Sequence, residues 1–173
     1  MSETNSSASK WIPKPKPDIR LQKADEHDLP LMLAWRNNPL LFQGFYTQSR
    51  GNHLITWEEH LAWWKNRPST WHTYIIMLTE GEYSRPIGVV NVGQIEHWSP
   101  ELGVYLNPTD WRHGYAREAL LQLVTLVKFT FHRDYCHTTI LKSNIASIEL
   151  FKSLGFSYMA EAREGEIWMT KAL

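Results

Sequence analysis

The chain has 173 residues, a length that fits one domain with a hydrophobic core, and 43% of its residues are hydrophobic. Its 18 Lys and Arg residues balance 18 Asp and Glu residues, so no net basic field exists to attract nucleic acid, and we expect no such partner. Because no apolar run is long enough to cross a bilayer or to form a signal segment, and because Cys136 is the single cysteine, we expect a cytoplasmic protein with no membrane partner and no internal disulfide.

The chain is predicted to begin with a tail, a strand and a helix. Residues 1–17 are rich in Ser, Pro and Lys and are expected to form a flexible tail before a single domain over residues 18–173. Residues 19–22 alternate apolar and polar side chains, which is typical of a strand. Asp28 is expected to cap a helix over residues 29–36.

A second helix and three strands are predicted next. Thr56 and Glu59 have the spacing of a capping box, which marks the start of the second helix. Residues 40–55, between the two helices, are aromatic and polar without a period, and we interpret them as a substrate loop. Strand patterns follow at residues 73–78, 87–92 and 101–106, and the first two are separated by a Gly-containing turn that indicates a hairpin.

The second half of the chain alternates helices and strands. Apolar residues recur at helical spacing over residues 115–131. The last predicted helix is capped by Ser143 or Asn144 and ends at Gly155. Further strands are predicted at residues 138–141, 157–162 and 166–171. The layout is that of a mixed α/β fold.

The junction after residues 101–106 has the features of an anion site. A short turn follows the strand, and a helix begins near Gly114. A helix start offers unpaired N–H groups and the positive end of a dipole, and Gly114 has no Cβ to keep an anion away from the backbone. Arg112 and His113 add donors. An ordinary strand–turn–helix junction has the same local pattern, so these residues alone assign no activity.

Two segments occur in the order and at the spacing of one protein family. Residues 102–120 contain the run WRHGYA at positions 111–116, and residues 144–156 read NIASIELFKSLGF. Both resemble the GNAT superfamily of N-acetyltransferases, in particular its ribosomal-protein alanine and spermidine acetyltransferase branch. The resemblance covers about residues 18–173. It implies a central, mostly antiparallel twisted sheet that is flanked by helices and splayed between strands 4 and 5.

The resemblance also assigns the cofactor half of a site. It implies that acetyl-CoA is the co-substrate, that the first motif cradles the pyrophosphate, and that the second places an Asn near the pantetheine arm. No metal is implied. The cofactor-binding residues carried over in this way are Tyr105, Leu106, Trp111, Arg112, His113, Gly114, Tyr115, Ala116, Asn144 and Phe151.

Direct attack of a neutral primary amine on the thioester is the mechanism that the family implies. A backbone N–H of Tyr105 or Leu106 would stabilise the oxyanion. Glu101 is the carboxylate best placed by sequence to take the amine proton, although a solvent-facing role at a strand start fits it equally. Asn91 is a polar residue in an apolar strand, which fits either a catalytic contact or a satisfied core position. His97 is a weaker candidate base.

Phe151 departs from the family pattern. Many relatives carry Tyr there, and its hydroxyl is thought to protonate the leaving thiolate. Ser147 or a water would have to serve instead, or the thiolate leaves unassisted, which a thiol with a pKa of about 8.5 permits. The departure also leaves open a non-catalytic acyl-CoA-binding module.

The acceptor side shows a second resemblance. The run Trp35-Arg36-Asn37 with His60 downstream resembles the amino-sugar N-acetyltransferases of the pseudaminic-acid pathway, which act on a nucleotide-linked amino sugar. These four residues are therefore predicted to bind a small-molecule amine, in a monomer or homodimer. In the plainer interpretation Trp35 packs in the core and Arg36 caps its helix. A protein N-terminus or a polyamine is the alternative acceptor, although residues 40–55 lack the carboxylates that a polyamine requires.

Overall fold

The computed structural model describes residues 18–42 and 53–173. The predicted tail, residues 1–17, lies outside the described residues, and so do residues 43–52 of the predicted substrate loop. In the described ranges no helix is long and apolar enough to cross a membrane. No three His, Cys, Asp or Glu side chains within these ranges are grouped so that they could hold a metal ion.

The first third of the domain is a strand followed by short helices. Its elements are β1 (Asp18–Lys23), a 3-10 turn (Glu26–Asp28), α1 (Leu29–Arg36), α2 (Pro39–Phe42) and α3 (Trp57–Asn66). The predicted capping box of α3 is confirmed, since the Thr56 hydroxyl accepts from the Glu59 N–H and the Glu59 carboxylate accepts from the Thr56 N–H at 2.8 Å. The box fixes where α3 begins.

The prediction that Asp28 caps α1 with its side chain is wrong. Asp28 does stand at the N-cap position, but its carboxylate accepts no bond from α1. Its Oδ2 instead accepts the Asp25 N–H at 3.0 Å, which closes a capping box around the preceding 3-10 turn. Pro30, the second residue of α1, suits the first turn because proline needs no acceptor for its nitrogen.

The middle of the chain forms a three-stranded meander, β2 (His72–Glu80), β3 (Tyr83–Gly93) and β4 (Glu101–Leu106), with antiparallel pairing throughout. This confirms the predicted hairpin. Its turn contains Gly81, whose φ of 65° is left-handed. The register of β2 against β3 shifts between Ile76 and Met77, where β3 carries one extra residue, Ile87.

The rest of the domain alternates helix and strand as predicted. Its elements are a 3-10 turn (Pro108–Asp110), α4 (Tyr115–Phe129), β5 (Tyr135–Leu141), α5 (Ile145–Ser153), β6 (Ser157–Glu161) and β7 (Glu166–Ala172). Asn144, rather than Ser143, caps α5, because its side chain accepts the Ser147 N–H at 3.2 Å. Gly155 adopts the left-handed conformation expected after a helix end.

The seven strands form one sheet in the order β1-β2-β3-β4-β5-β7-β6. Only β4 and β5 run parallel, and they pair at a single register position, Glu101 opposite His137. Beyond that position the two strands diverge. The predicted mixed α/β fold, with a mostly antiparallel sheet splayed between strands 4 and 5, is confirmed.

Two hydrophobic clusters cover the two faces of the sheet. One contains the buried residues of α4 and α5 with Val90, Leu102 and Leu106, and we call this side the α4/α5 face. The other contains the buried residues of α1 and α3 with Val89 and Tyr105, and we call this side the α1/α3 face. Because side chains alternate along a strand, the face of every residue near the split follows from its position.

Candidate functional site

The turn between β4 and α4 exposes backbone at the start of the helix. Arg112 and Gly114 both have left-handed φ angles, 65° and 83°. Gly114 is the N-cap of α4, and a Cβ built on it would meet no atom within 4 Å. Open space therefore lies directly in front of this backbone, as the sequence predicted.

A row of unpaired donors surrounds that space. The backbone N–H groups of residues 112–117 have no acceptor among the described residues, and the first helical bond runs from Glu118 N to Gly114 O at 3.1 Å. Three of these groups belong to the first turn of α4, where the helix dipole is positive. The side chains of Arg112 and His113 are exposed beside them. The arrangement can hold a phosphate group.

Side chains on both ends of the turn hold it in place. Trp111 donates its indole Nε1–H to the Leu106 carbonyl at 3.1 Å. Arg85 of β3 binds both carboxylate oxygens of the buried Asp110, at 2.7 and 3.2 Å. Tyr115 stacks on His113, with ring centroids 5.2 Å apart, and packs against the core with Ala116. The predicted residues 111–116 thus form one anchored loop.

The exposed edge of β4 faces the split. Asn107 N donates to Ile87 O at 2.8 Å, so odd-numbered residues of β4 bond to β3. Pro100 O accepts His137 N at 2.9 Å, so even-numbered residues point toward β5. Of the two predicted oxyanion donors, Leu106 therefore has its N–H on the open edge, whereas the N–H of Tyr105 points to β3. Val104, which the sequence did not single out, shares the open edge.

The start of α5 lies at the same edge of the sheet as the start of α4. Parallel strands end at one edge, so Asn144 after β5 and the loop after β4 flank the wide end of the split. The side-chain oxygen of Asn144 accepts the Ser147 N–H, and its amide N–H₂ has no partner among the described residues. Ser147 is half-buried one turn before Phe151. Phe151 is 2% exposed and packs edge-on against Phe156 at 5.0 Å.

A half-buried polar side chain lies on the α1/α3 face beside the split. Asn91 of β3 is opposite Gly103 of β4, and its Oδ1 is buried without a hydrogen-bond partner among the described residues. A Cβ built on Gly103 would meet only the Asn91 amide nitrogen, at 3.9 Å. The missing side chain of Gly103 thus leaves room beside the Asn91 amide nitrogen. A buried acceptor without a partner is costly, which points to a bound donor.

Glu101 and His137 meet where the split closes. They are register partners on neighbouring strands, and both side chains lie on the α1/α3 face. His137 is 8% exposed, and its Nδ1 lies 2.8 Å from the Ser99 carbonyl oxygen. The sequence patterns did not single out His137. No spacing rule joins it to Glu101, 36 positions earlier, so only the sheet topology reveals the pair.

A cavity of about 320 Å³ lies at the end of α1. Its lining residues are Arg36, Ile55, Glu59, His60 and Trp63. His60 is buried, its Nε2 has no hydrogen-bond partner among the described residues, and Trp63 stacks on its ring at 5.4 Å. Burial lowers the pKa of His60, and the charge of Arg36 lowers it further. The cavity therefore combines a cation with a neutral imidazole.

Two other residues predicted to bind the acceptor have structural partners. Trp35 is buried and packs edge-on against Tyr105 at 6.5 Å, within the core of the α1/α3 face. The Asn37 amide binds both backbone groups of Ile55, at 2.8 and 2.9 Å. Asn37 thus holds Ile55 in the wall of the cavity, and Arg36 and His60 are the members of the predicted set that reach it.

The family model described as acetyltransferase (GNAT) domain matches residues 18–157. The chain is also 35% identical, over 149 residues, to the uncharacterized protein MJ1062 of Methanocaldococcus jannaschii. That match covers 86% of this chain but 30% of the relative, so the chain spans less than a third of that protein's length.

Solved structures share the fold. A domain from Methanocaldococcus jannaschii is 34% identical, with a TM-score of 0.85 over 91% of this chain and 99% of that domain. Spermidine N-acetyltransferase from Vibrio cholerae, in complex with CoA and spermine, is 14% identical, with a TM-score of 0.75 over 89% and 95% of the two chains. N-acetyltransferase PseH from Campylobacter jejuni is 16% identical, with a TM-score of 0.64 over 89% and 97%. At such identities the last two show the fold alone.

Proposed function

The chain belongs to the GNAT acetyltransferase family, as its two motifs predicted, and we propose that it transfers the acetyl group of acetyl-CoA to a primary amine of a small molecule. One observation carries the proposal. Unpaired backbone donors at the start of α4 lead directly into the split between β4 and β5. An anion site joined to a free strand edge suits a ligand that has a phosphate end and an amide-containing arm.

The residues present fit acetyl-CoA along this route. The N–H groups of residues 112–117 would hold the pyrophosphate. The open backbone groups of Val104 and the open N–H of Leu106 would pair with the pantetheine amides, and the Asn144 amide would donate from the other side of the split. From Leu106 to Glu101 the strand spans roughly 17 Å, at about 3.3 Å per residue. When bound, acetyl-CoA supplies an acetyl group activated as a thioester.

Direct attack by the amine is the route that the side chains support. The single cysteine, Cys136, is fully buried, and burial raises the pKa of its thiol to about 12, so it is no acyl carrier. A backbone N–H on the open edge of β4, that of Val104 or Leu106, would stabilise the oxyanion. Asn91 and Glu101 would face the amine. Phe151 has no proton to give, and Ser147 remains a predicted donor to the thiolate.

The family does not identify the acceptor, but the cavity at the end of α1 supports a small anionic amino sugar in that role. Arg36 can bind a phosphate or carboxylate, and Trp63, 41% exposed, offers an aromatic face for a sugar or base. Glu59, the one carboxylate among the described residues that line the cavity, accepts the Thr56 N–H. A polyamine site needs several free carboxylates. The cavity therefore favours the nucleotide-linked amino sugar that the sequence resemblance implies.

The test is a thiol-release screen with acetyl-CoA against amino sugars, nucleotide-linked amino sugars, polyamines and peptide N-termini. We expect turnover with an amino sugar, and greater turnover when the sugar carries a nucleotide. Turnover confined to polyamines or to peptides would reassign the acceptor. Binding of acetyl-CoA without turnover of any amine would instead indicate a non-catalytic acyl-CoA-binding module.

A further inference from the structure

His137 occupies the place where the split between β4 and β5 closes. It is the register partner of Glu101, and this is the single position at which the two strands pair. The proposed route of acetyl-CoA runs from the start of α4 along β4 toward this position. A side chain here lies at the end of that route, on the α1/α3 face that also carries Asn91 and the cavity.

We propose that His137 Nε2 takes the proton from the acceptor amine and that Glu101 stabilises the imidazolium that forms, an inference that rests on the proposed acetyl transfer. The geometry around the ring fixes its state. The Ser99 carbonyl oxygen lies 2.8 Å from Nδ1, and a carbonyl can only accept, so Nδ1 carries the hydrogen. The lone pair is therefore on Nε2.

The Nε2 atom is available to a ligand. It makes no hydrogen bond to the described residues. It is also not one of the fully buried side-chain atoms of those residues that lack a hydrogen-bond partner. Beside it, the indole of Trp168 meets the imidazole ring edge-on at 5.0 Å, and the Trp168 N–H is buried without an acceptor among the described residues. A buried unpaired donor on a ring that contacts the imidazole indicates a place where a ligand completes the hydrogen bonding.

The groups around His137 keep the ring neutral at neutral pH. Burial lowers the pKa of His137 most, and His97 lowers it further, whereas the charge of Glu101 and the Ser99 carbonyl act in the opposite direction. Ser99 Oγ, 3.2 Å from Nδ1, and the Trp168 ring are the other polar neighbours. A neutral imidazole is the form that accepts a proton, and Glu101 favours the charged form once it appears.

The proton transfer balances as follows. His137 Nε2 accepts one proton from the substrate ammonium, which frees the nitrogen lone pair. That lone pair forms the N–C bond to the acetyl carbon, the C–S bond breaks, and its electron pair leaves with sulfur. The nitrogen then loses its second surplus proton to solvent, and the imidazolium proton passes to the thiolate, which gives the amide, free CoA and neutral His137. The same residue thereby supplies the acid that Phe151 cannot provide.

The first test is His137→Asn, whose amide nitrogen can still donate to the Ser99 carbonyl but which has no atom at the Nε2 position. We expect kcat/KM to fall by about 10²- to 10⁴-fold, the pH dependence of kcat/KM to lose its histidine limb, and acetyl-CoA affinity by calorimetry to stay unchanged. His132→Asn is the control, because His132 is exposed and has a φ of 53°, which Asn tolerates. Full activity and an unaltered pH profile in His137→Asn would overturn the proposal.

A second readout does not depend on turnover. Histidine ¹⁵N NMR of the free protein should show His137 as the Nδ1–H tautomer, with a pKa below that of an exposed histidine. In Glu101→Gln that pKa should fall further, because a favourable charge is lost. An Nε2–H tautomer, or no response to Glu101→Gln, would overturn the proposal. Wild-type protein that binds acetyl-CoA and turns over an amine shows that the proposed function stands, so failure of either His137 test would then count against His137 alone.

Discussion

Arg85 and Asp110 join β3 to the turn that precedes the candidate phosphate loop. The two terminal guanidinium nitrogens of Arg85 bind the Asp110 carboxylate, at 2.7 and 3.2 Å, and the hydrogen bond raises the pKa of Arg85. The Asp110 side chain is 3% exposed, whereas that of Arg85 is 47% exposed. The pair therefore holds a buried carboxylate next to the loop at residues 111–116. The ion pair itself adds only modestly to the free energy of unfolding, because Arg85 is half exposed.

We expect Arg85→Ala to weaken both the fold and the loop. The substitution leaves Asp110 buried with its Thr109 contact alone among the described residues, which should cost about 1–3 kcal/mol in the free energy of unfolding measured with urea. Acetyl-CoA affinity by calorimetry should also fall. Arg20→Ala is the control, since Arg20 pairs with Asp18 on the surface. An Arg85→Ala protein with unchanged affinity would show that the loop holds its shape without the pair.

Arg36→Ala tests the acceptor class. Arg36 lines the cavity with His60 and Trp63, and arginine stays protonated even where burial lowers its pKa. The variant should raise KM for a nucleotide-linked amino sugar more than it lowers kcat, because it removes binding of a remote anionic group. KM for the same sugar without its nucleotide should change little. Equal increases in KM for both substrates would argue against an anionic acceptor.

The stability of the protein should fall as the pH drops below neutrality. Burial lowers the folded-state pKa of His60, so the unfolded chain binds a proton at a higher pH than the folded protein does. The resulting loss in the free energy of unfolding is absent above the pKa of about 6.5 that the histidine has in the unfolded chain. It grows as the pH falls from there through the pKa of His60 in the folded protein. Urea unfolding at several pH values should show a smaller loss for His60→Gln than for wild type. His27→Gln, which alters an exposed histidine, should behave like wild type.

Local patterns predicted the elements well because their causes are local. The Thr56–Glu59 capping box, the alternation in residues 19–22 and the helical spacing after residue 115 each depend on neighbours within a few positions. Asp28 shows where such a signal fails. The Asp28 carboxylate could cap either α1 or the preceding 3-10 turn, and it accepts the Asp25 N–H of the 3-10 turn.

The site was predictable only where a motif spans it. The loop at residues 111–116 and Asn144 lie in the two family motifs, and the structure places both at the wide end of the split. Long-range pairs left no signal in the sequence. Asn37 reaches Ile55, Arg85 reaches Asp110, and Glu101 meets His137 because of strand order and register. The open edge of β4 likewise depends on register, which separates Leu106 from Tyr105.

The most direct measurement of the central claim is calorimetric titration of acetyl-CoA into wild type, Gly114→Asp and Gly165→Asp. Both glycines are exposed, have φ angles of 83° and 80°, and leave a new Cβ free of contacts within 4 Å, so both variants carry similar backbone strain. Only Gly114→Asp places a carboxylate at the start of α4. We predict binding by wild type and Gly165→Asp and none by Gly114→Asp; equal affinity in all three proteins, or no binding by wild type, would contradict the assignment of this helix start to acetyl-CoA.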